Sequence, residues 1–388
     1  MAHGRGQWWA RVRGVHRLHR RKVPAEIVNP STMGAGRGLV CAGCSDQTGR
    51  VREVYLHVGP LKTGSTFLQD LLWQHRDDLA RQGYLHPGAH ANEMWLATND
   101  LQDGAFVDYE MPQASGVWAQ VCKRALAYDG PSVISHELLG LSTEEHIDRI
   151  VRSLTPARLQ VIVMARSLAA MLPSLWQESV KSVGHDGASS WPAFLASQRD
   201  ARAPVTDALL IVQRWLAHIP AEQIHVITVP PTGTDPAVLL GRFSHALGID
   251  TTSWPADAAG RNVSIDMVQT ELIRRLNETS AASLDNRAQR LLVHDALLPS
   301  LRPPSAARRI RLPSSERGWI ETETSRRVDG LRDCGALLHG DLDDLTSPPD
   351  VWQDLPDAVT EADLLEEALH LLVSSHPDNS DPDRLDFV

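Results

Sequence analysis

The stretch "VYLHVGPLKTGST", Val54 to Thr66, constrains the fold of this chain more than any other. Val54 to Val58 is a short, mostly apolar run that ends in glycine, the pattern of a buried parallel strand. "STFLQDLLWQHRDDLARQG" then carries helical spacing, with Phe67, Leu68, Leu71, Leu72 and Leu79 on one face and Gly83 as the stop. A strand, a glycine-framed loop and a helix in that order make an anion cradle. Backbone N–H groups of residues 61–66 converge there, and the positive end of the helix dipole adds to their attraction. In a nucleotide-hydrolysing P-loop, G-x-x-x-x-G-K-[ST], the lysine follows the second glycine. Here Gly59 and Gly64 keep the frame and Thr66 fills the hydroxyl position, but Ser65 stands in the lysine's place and Lys62 sits inside the loop. The chain is expected to hold phosphate with its charge relocated.

Three further apolar runs, 131–135, 159–165 and 224–229, alternate with helix-like segments. They predict one α/β domain with a central parallel β-sheet flanked by helices, a three-layer sandwich like that of P-loop NTPases. "DPAVLLGRFSHALGI", "SIDMVQTELIRRLNE" and the acidic "TEADLLEEALHLLVSS", with Thr360 as its N-cap, read as amphipathic helices. A Mg-dependent NTPase also needs an acid at the end of another strand to hold its metal. Here 159–165 runs into Arg166 and 224–229 into Pro230-Pro231; only "SVISHE" ends in an acid, Glu137. ATP hydrolysis is disfavoured and no metal is expected, although a P-loop kinase or a nucleotide-binding protein without transfer stays as the alternative. An arginine at a strand's end suits a second phosphate, through a charge-assisted fork.

Charge narrows the partners. Of the net −10, residues 1–50 contribute +7 and residues 341–388 contribute −13, which leaves the body nearly neutral. Without a basic patch on the folded part, nucleic acid is not an expected partner. No apolar run approaches the ~18 residues of a membrane span, and the basic N-terminus lacks the apolar core of a secretory signal. A soluble, cytoplasmic protein is expected. Cys41 and Cys44 form a lone C-x-x-C with no second pair. The organisation read from these patterns is a disordered basic leader (1–50, with Met33 as an alternative start), an α/β domain (51–345), and an acidic helix and tail (346–388).

Together these motifs resemble the sulfotransferases that use 3′-phosphoadenosine 5′-phosphosulfate (PAPS). Their 5′-phosphosulfate loop reads P-x-x-G-[ST]-[ST], matched by "LKTGST" with leucine in place of proline. Their 3′-phosphate motif places a serine eight residues after a strand-end arginine, matched by Arg166 and Ser174 in "MARSLAAMLPSLWQESVK". With "ITVPPTGTDPAVLLGRFSHALGI" and "GDLDDL", the resemblance runs over roughly 52–345, most closely to a bacterial branch. The chain has only four lysines, and its bias toward arginine fits a high-GC genome.

The resemblance implies that Gly59, Lys62, Thr63, Gly64, Ser65 and Thr66 hold the 5′-phosphosulfate, and that Arg166 and Ser174 hold the 3′-phosphate. Arg261 of "GRNVS" falls where the family returns a loop to that phosphate. Lys62 then sits beside the oxygen linking sulfur to the 5′-phosphate, where charge grows as the bond breaks. Glu137 is the expected general base, with His136 as runner-up; adjacent strand residues point oppositely, so one of them faces the cleft. The acceptor is a hydroxyl or amine on a small molecule or carbohydrate, chosen by loops such as 86–118 and 184–204. Ser174, Glu178 and Lys181 share a helical face beside Arg166, where Pro173 breaks the hydrogen-bond ladder and predicts a kink. Glu178 and Lys181 read equally as a surface ion pair, and Trp176 as core.

Overall fold

Alternation along the strands decides how many layers the protein needs. In β3 (Arg158–Ala165), Leu159, Val161, Val163 and Ala165 pack into one apolar cluster while Ile162 and Met164 pack into another on the opposite side. A strand buried on both faces requires helices on both. The structure, a computed structural model, describes residues 52–105, 111–182, 188–200, 206–255, 265–280, 283–354 and 359–374. The expectations for residues 1–50, for Arg261 and for the tail beyond 374 lie outside the described residues.

The chain runs from β1 (Glu53–His57) into α1 (Ser65–Gln74) and α2 (Arg76–Arg81), then α3 (Glu93–Leu101) and α4 (Val117–Ala127). β2 (Ser132–Ser135), α5 (Glu144–Leu154) and β3 follow, then α6 (Leu168–Lys181), α7 (Trp191–Asp200) and α8 (Ala208–Leu216). β4 (Ile224–Thr228) leads to α9 (Pro236–Leu247), α10 (Met267–Ser280) and α11 (Asn286–Leu291). β5 (Leu312–Pro313), α12 (Arg317–Asp333), β6 (Leu337–His339), β7 (Trp352–Gln353) and α13 (Glu361–Ser374) complete it.

The main sheet has the order β2-β1-β3-β4-β6, parallel throughout. Helices α3, α4, α5 and α8 cover one face and α1, α2 and α9 the other, giving the expected three-layer α/β sandwich. A further apolar cluster joins α6, α7, α10 and α12 beside the sheet. Trp176 lies in it, fully buried, its Nε1–H donating to Ser189 O at 2.9 Å, so it is core as expected.

Local departures have local causes. Residues 65–83, expected as one helix, divide at His75 (φ −102°, ψ 20°), whose ring stacks on Trp254 at 4.7 Å; Gly83, at φ +83°, is the stop. At Pro173, α6 continues as a single helix, because proline removes one ladder donor while Leu172, Leu175 and Trp176 stay buried in the core. β6 was not anticipated, since three residues show no period. The acidic C-terminal helix α13 is docked on α10 through buried Leu364 and Glu367. Arg275, Arg302 and Arg308 meet its Glu361, Glu366 and Asp363. Among the described residues no helix is long and apolar enough to cross a membrane.

The strand order places the site. β1 lies between β2 and β3, so the chain leaves β1 on one side and returns on the other. In open parallel sheets that reversal opens a crevice at the strands' carboxyl ends. The loop after β1 and Arg166 after β3 both emerge there.

Candidate active site

The loop is wound by three residues in the left-handed region: Gly59 (φ +83°), Lys62 (φ +61°) and Gly64 (φ +86°). A Cβ on Gly59 would lie 2.5 Å from the backbone oxygen of Glu137, so only glycine allows the loop to approach the end of β2 this closely. The loop is pinned to β3 by Met164 N–H donating to Gly59 O at 2.8 Å. Thr63 is fully buried and its hydroxyl donates to Pro60 O at 2.7 Å, with Ser65 Oγ 3.3 Å away. Gly64 caps α1 without a side chain, so the first N–H groups of the helix, from Ser65 onward, have no intrahelical acceptor and face the loop. An anion is their natural partner.

Lysine at a left-handed position costs on the order of 1–3 kcal/mol and persists where surroundings hold it. Arg166 supplies part of that hold: its Nη1–H donates to Lys62 O at 2.6 Å. The Lys62 side chain reaches Glu178 of α6, Nζ to Oε2 at 3.2 Å, and Lys181 Nζ meets the same oxygen at 3.3 Å. Burial opposes ionisation of Glu178, but the two ammonium groups outweigh it and hold the carboxyl at about 2. Glu178 and Lys181 form the ion pair that the spacing offered, with Lys181 buried, Glu178 partly exposed and Lys62 of the loop sharing the same oxygen.

At the end of β2 the two candidate bases are not alternating strand residues. The strand stops at Ser135; His136 (φ −158°, ψ 129°) caps a 3₁₀ turn that begins at Glu137. His136 is buried and its Nδ1 accepts from Leu138 N–H at 3.3 Å. Burial pushes its pKa below the ordinary histidine range, and with Nδ1 accepting, the ring's proton resides on Nε2. Glu137 Oε2 accepts from Gln69 Nε2–H of α1 at 2.6 Å. Burial opposes its ionisation too, while the hydrogen bonds from Gln69 Nε2–H and from its own backbone N–H favour the carboxylate. Behind it, His57 Nδ1 lies 2.8 Å from Ser135 Oγ, and burial lowers that ring to about 4.

Arg166 also lines a cavity of about 180 Å³ with Ser167, Val229, Thr232, Asp343 and Asp344. Burial, and secondarily Arg309, lower the Arg166 pKa; an arginine stays charged regardless. Ser174 is not among the cavity's lining residues; its hydroxyl donates to Ala170 O at 3.4 Å. The acidic wall is fastened to β4: Asp344 Oδ2 accepts from Thr228 Oγ1–H at 2.7 Å and from Arg242 Nη1–H at 2.5 Å. Among the described residues no cluster of three His, Cys, Asp or Glu side chains is arranged around a metal position.

The structure thus brings Gly59–Thr66, Arg166, Glu137 and Glu178 to one crevice. Sequence reasoning missed Gln69, the Arg242–Asp344–Thr228 fastening and the Lys62–Glu178 contact. The only signal for Gln69 was its place one turn into α1 from Ser65, on the helix that opens at the loop.

A parallel sheet with this loop at its reversal defines the P-loop-like α/β fold. The chain belongs to the sulfotransferase family: residues 54–289, more than half of it, match the sulfotransferase domain. No curated protein matches it. It is a transferase of sulfuryl groups.

Proposed function

We propose that the protein transfers the sulfuryl group of PAPS to a hydroxyl or amine of a small-molecule or carbohydrate acceptor. The observation that carries this reading is the loop lysine and a strand-end arginine meeting at the sheet's reversal, Arg166 Nη1–H on Lys62 O. PAPS supplies a sulfuryl group whose bond to the 5′-phosphate oxygen breaks as the acceptor's bond to sulfur forms. The N–H groups from Ser65 onward, with the Ser65 and Thr66 hydroxyls, hold the 5′-phosphosulfate, and Gly59, Thr63 and Gly64 shape the loop. Lys62 offsets charge on the leaving oxygen. Arg166, with donors beyond the one on Lys62 O, takes the 3′-phosphate; Ser174 joins it if its weak bond to Ala170 O yields, and Arg261 is a further contact. Glu137 accepts the acceptor's proton. His136 is the lesser candidate, because its Nδ1 lone pair is engaged and Nε2 carries the proton.

The 3′ site is tested by calorimetry. The protein should bind 3′-phosphoadenosine 5′-phosphate more tightly than AMP, and Arg166→Ala should cost the bisphosphate on the order of 1.5–3 kcal/mol while changing AMP little. Equal affinity for the two nucleotides in the unaltered protein would remove the donor assignment.

Metal dependence separates this reading from a P-loop kinase. With Ser65 in the Walker lysine's place, charge at the reacting centre comes from Lys62. Sulfuryl transfer is expected to persist in EDTA, whereas ATP turnover that stops on chelation would support the kinase.

A further inference from the structure

Lysine is scarce in this chain, four in 388 residues, and two of the four meet on one carboxylate oxygen beside the loop. The proposed chemistry gives Lys62 a task but leaves Glu178 and Lys181 without one. Their side chains are 39% and 11% exposed, against 22% for Lys62, so the three charges are partly withdrawn from water. The backbone of Lys62 is fixed by Arg166 on its carbonyl oxygen, and its side chain is the part free to change partners. Three cations, Lys62, Lys181 and Arg166, border a loop built from unpaired N–H groups. Glu178 is the anion that meets both lysines there.

We propose that Glu178 is a positioning residue that holds Lys62 until an anion occupies the loop, and that Lys181 keeps the carboxylate paired when Lys62 leaves it. This rests on the reading of the loop as the donor's phosphosulfate site. The exchange is cheap because no partly buried charge is orphaned at any stage: Lys62 trades one anion for another, and Glu178 retains Lys181. Glu178 therefore competes with the ligand for Lys62. After transfer, the same competition draws Lys62 back from the product's 5′-phosphate and eases release.

Competition makes predictions with signs that a structural role does not. Glu178→Gln should bind 3′-phosphoadenosine 5′-phosphate about tenfold tighter, with KM for the donor and kcat falling together. Glu178→Asp should return both toward the starting values. Lys181→Met leaves Glu178 with Lys62 alone and should weaken binding several-fold. In the Glu178→Gln background, Lys181→Met should have little effect, because the residue acts through the carboxylate; this closes a double-mutant cycle. Calorimetry on the full chain with two probes, the bisphosphate nucleotide and inorganic pyrophosphate, reads all four variants. Unchanged or weaker binding by Glu178→Gln overturns the inference, as does an equal loss from Lys181→Met in both backgrounds. Binding of pyrophosphate without the nucleotide overturns the PAPS assignment, and the order of the variants on pyrophosphate still decides the role of Glu178. Binding of neither probe overturns both.

Discussion

Glu137→Gln is expected to lose ~10²–10⁴-fold in turnover while its affinity for 3′-phosphoadenosine 5′-phosphate stays near that of the unaltered protein. Glutamine preserves size and a hydrogen bond to Gln69, so the loop and α1 keep their places; what disappears is a group able to take the acceptor's proton. The anion is already prepared. Gln69 donates to it at 2.6 Å, and its own backbone N–H favours the carboxylate too, so it is ready at neutral pH. His136→Asn should be much milder, because His136 Nδ1 is spent on Leu138 N–H. Steady-state kinetics with paired calorimetry separates the two. Near-normal turnover in Glu137→Gln with a dead His136→Asn would make histidine the base.

Lys62→Met is expected to be comparably damaging, by ~10²–10³-fold in turnover, the usual loss when a donor aimed at developing charge is removed. The loss in nucleotide affinity should be smaller, since the N–H groups at the start of α1 remain. Methionine keeps the length and the left-handed backbone of residue 62, so Arg166 retains its acceptor there. A leaving group that needs little charge stabilisation should rescue the variant more than the unaltered protein. Equal rescue of both would show that Lys62 only binds.

What could be read in the chain beforehand was local. The loop, its flanking strand and helix, and the arginine after β3 are contiguous motifs whose physics is written in adjacent residues. The four longer strands were legible because each has enough apolar residues to reveal burial. Residues that depend on distant partners were not. Lys62 and Glu178 are 116 positions apart, and nothing in either neighbourhood announces the other. The opposed directions expected for His136 and Glu137 have no strand to rest on, for a related reason. The alternation rule holds only while the strand lasts, and β2 ends at Ser135, before both residues.

The matched domain ends at 289, yet the sheet does not. β6, at 337–339, pairs with β4, and His225 Nδ1 meets His339 Nε2 at 3.0 Å across that join. Without the later segment, β4 would present a row of unpaired backbone groups, a template on which a second chain could add its own strand. With it, the outermost strand is only three residues long, too short to recruit a neighbour. The stretch beyond the shared domain is therefore a hem. The same fastening of Asp344 to Thr228 and Arg242 that walls the cavity beside Arg166 also keeps the sheet from fraying into its neighbours.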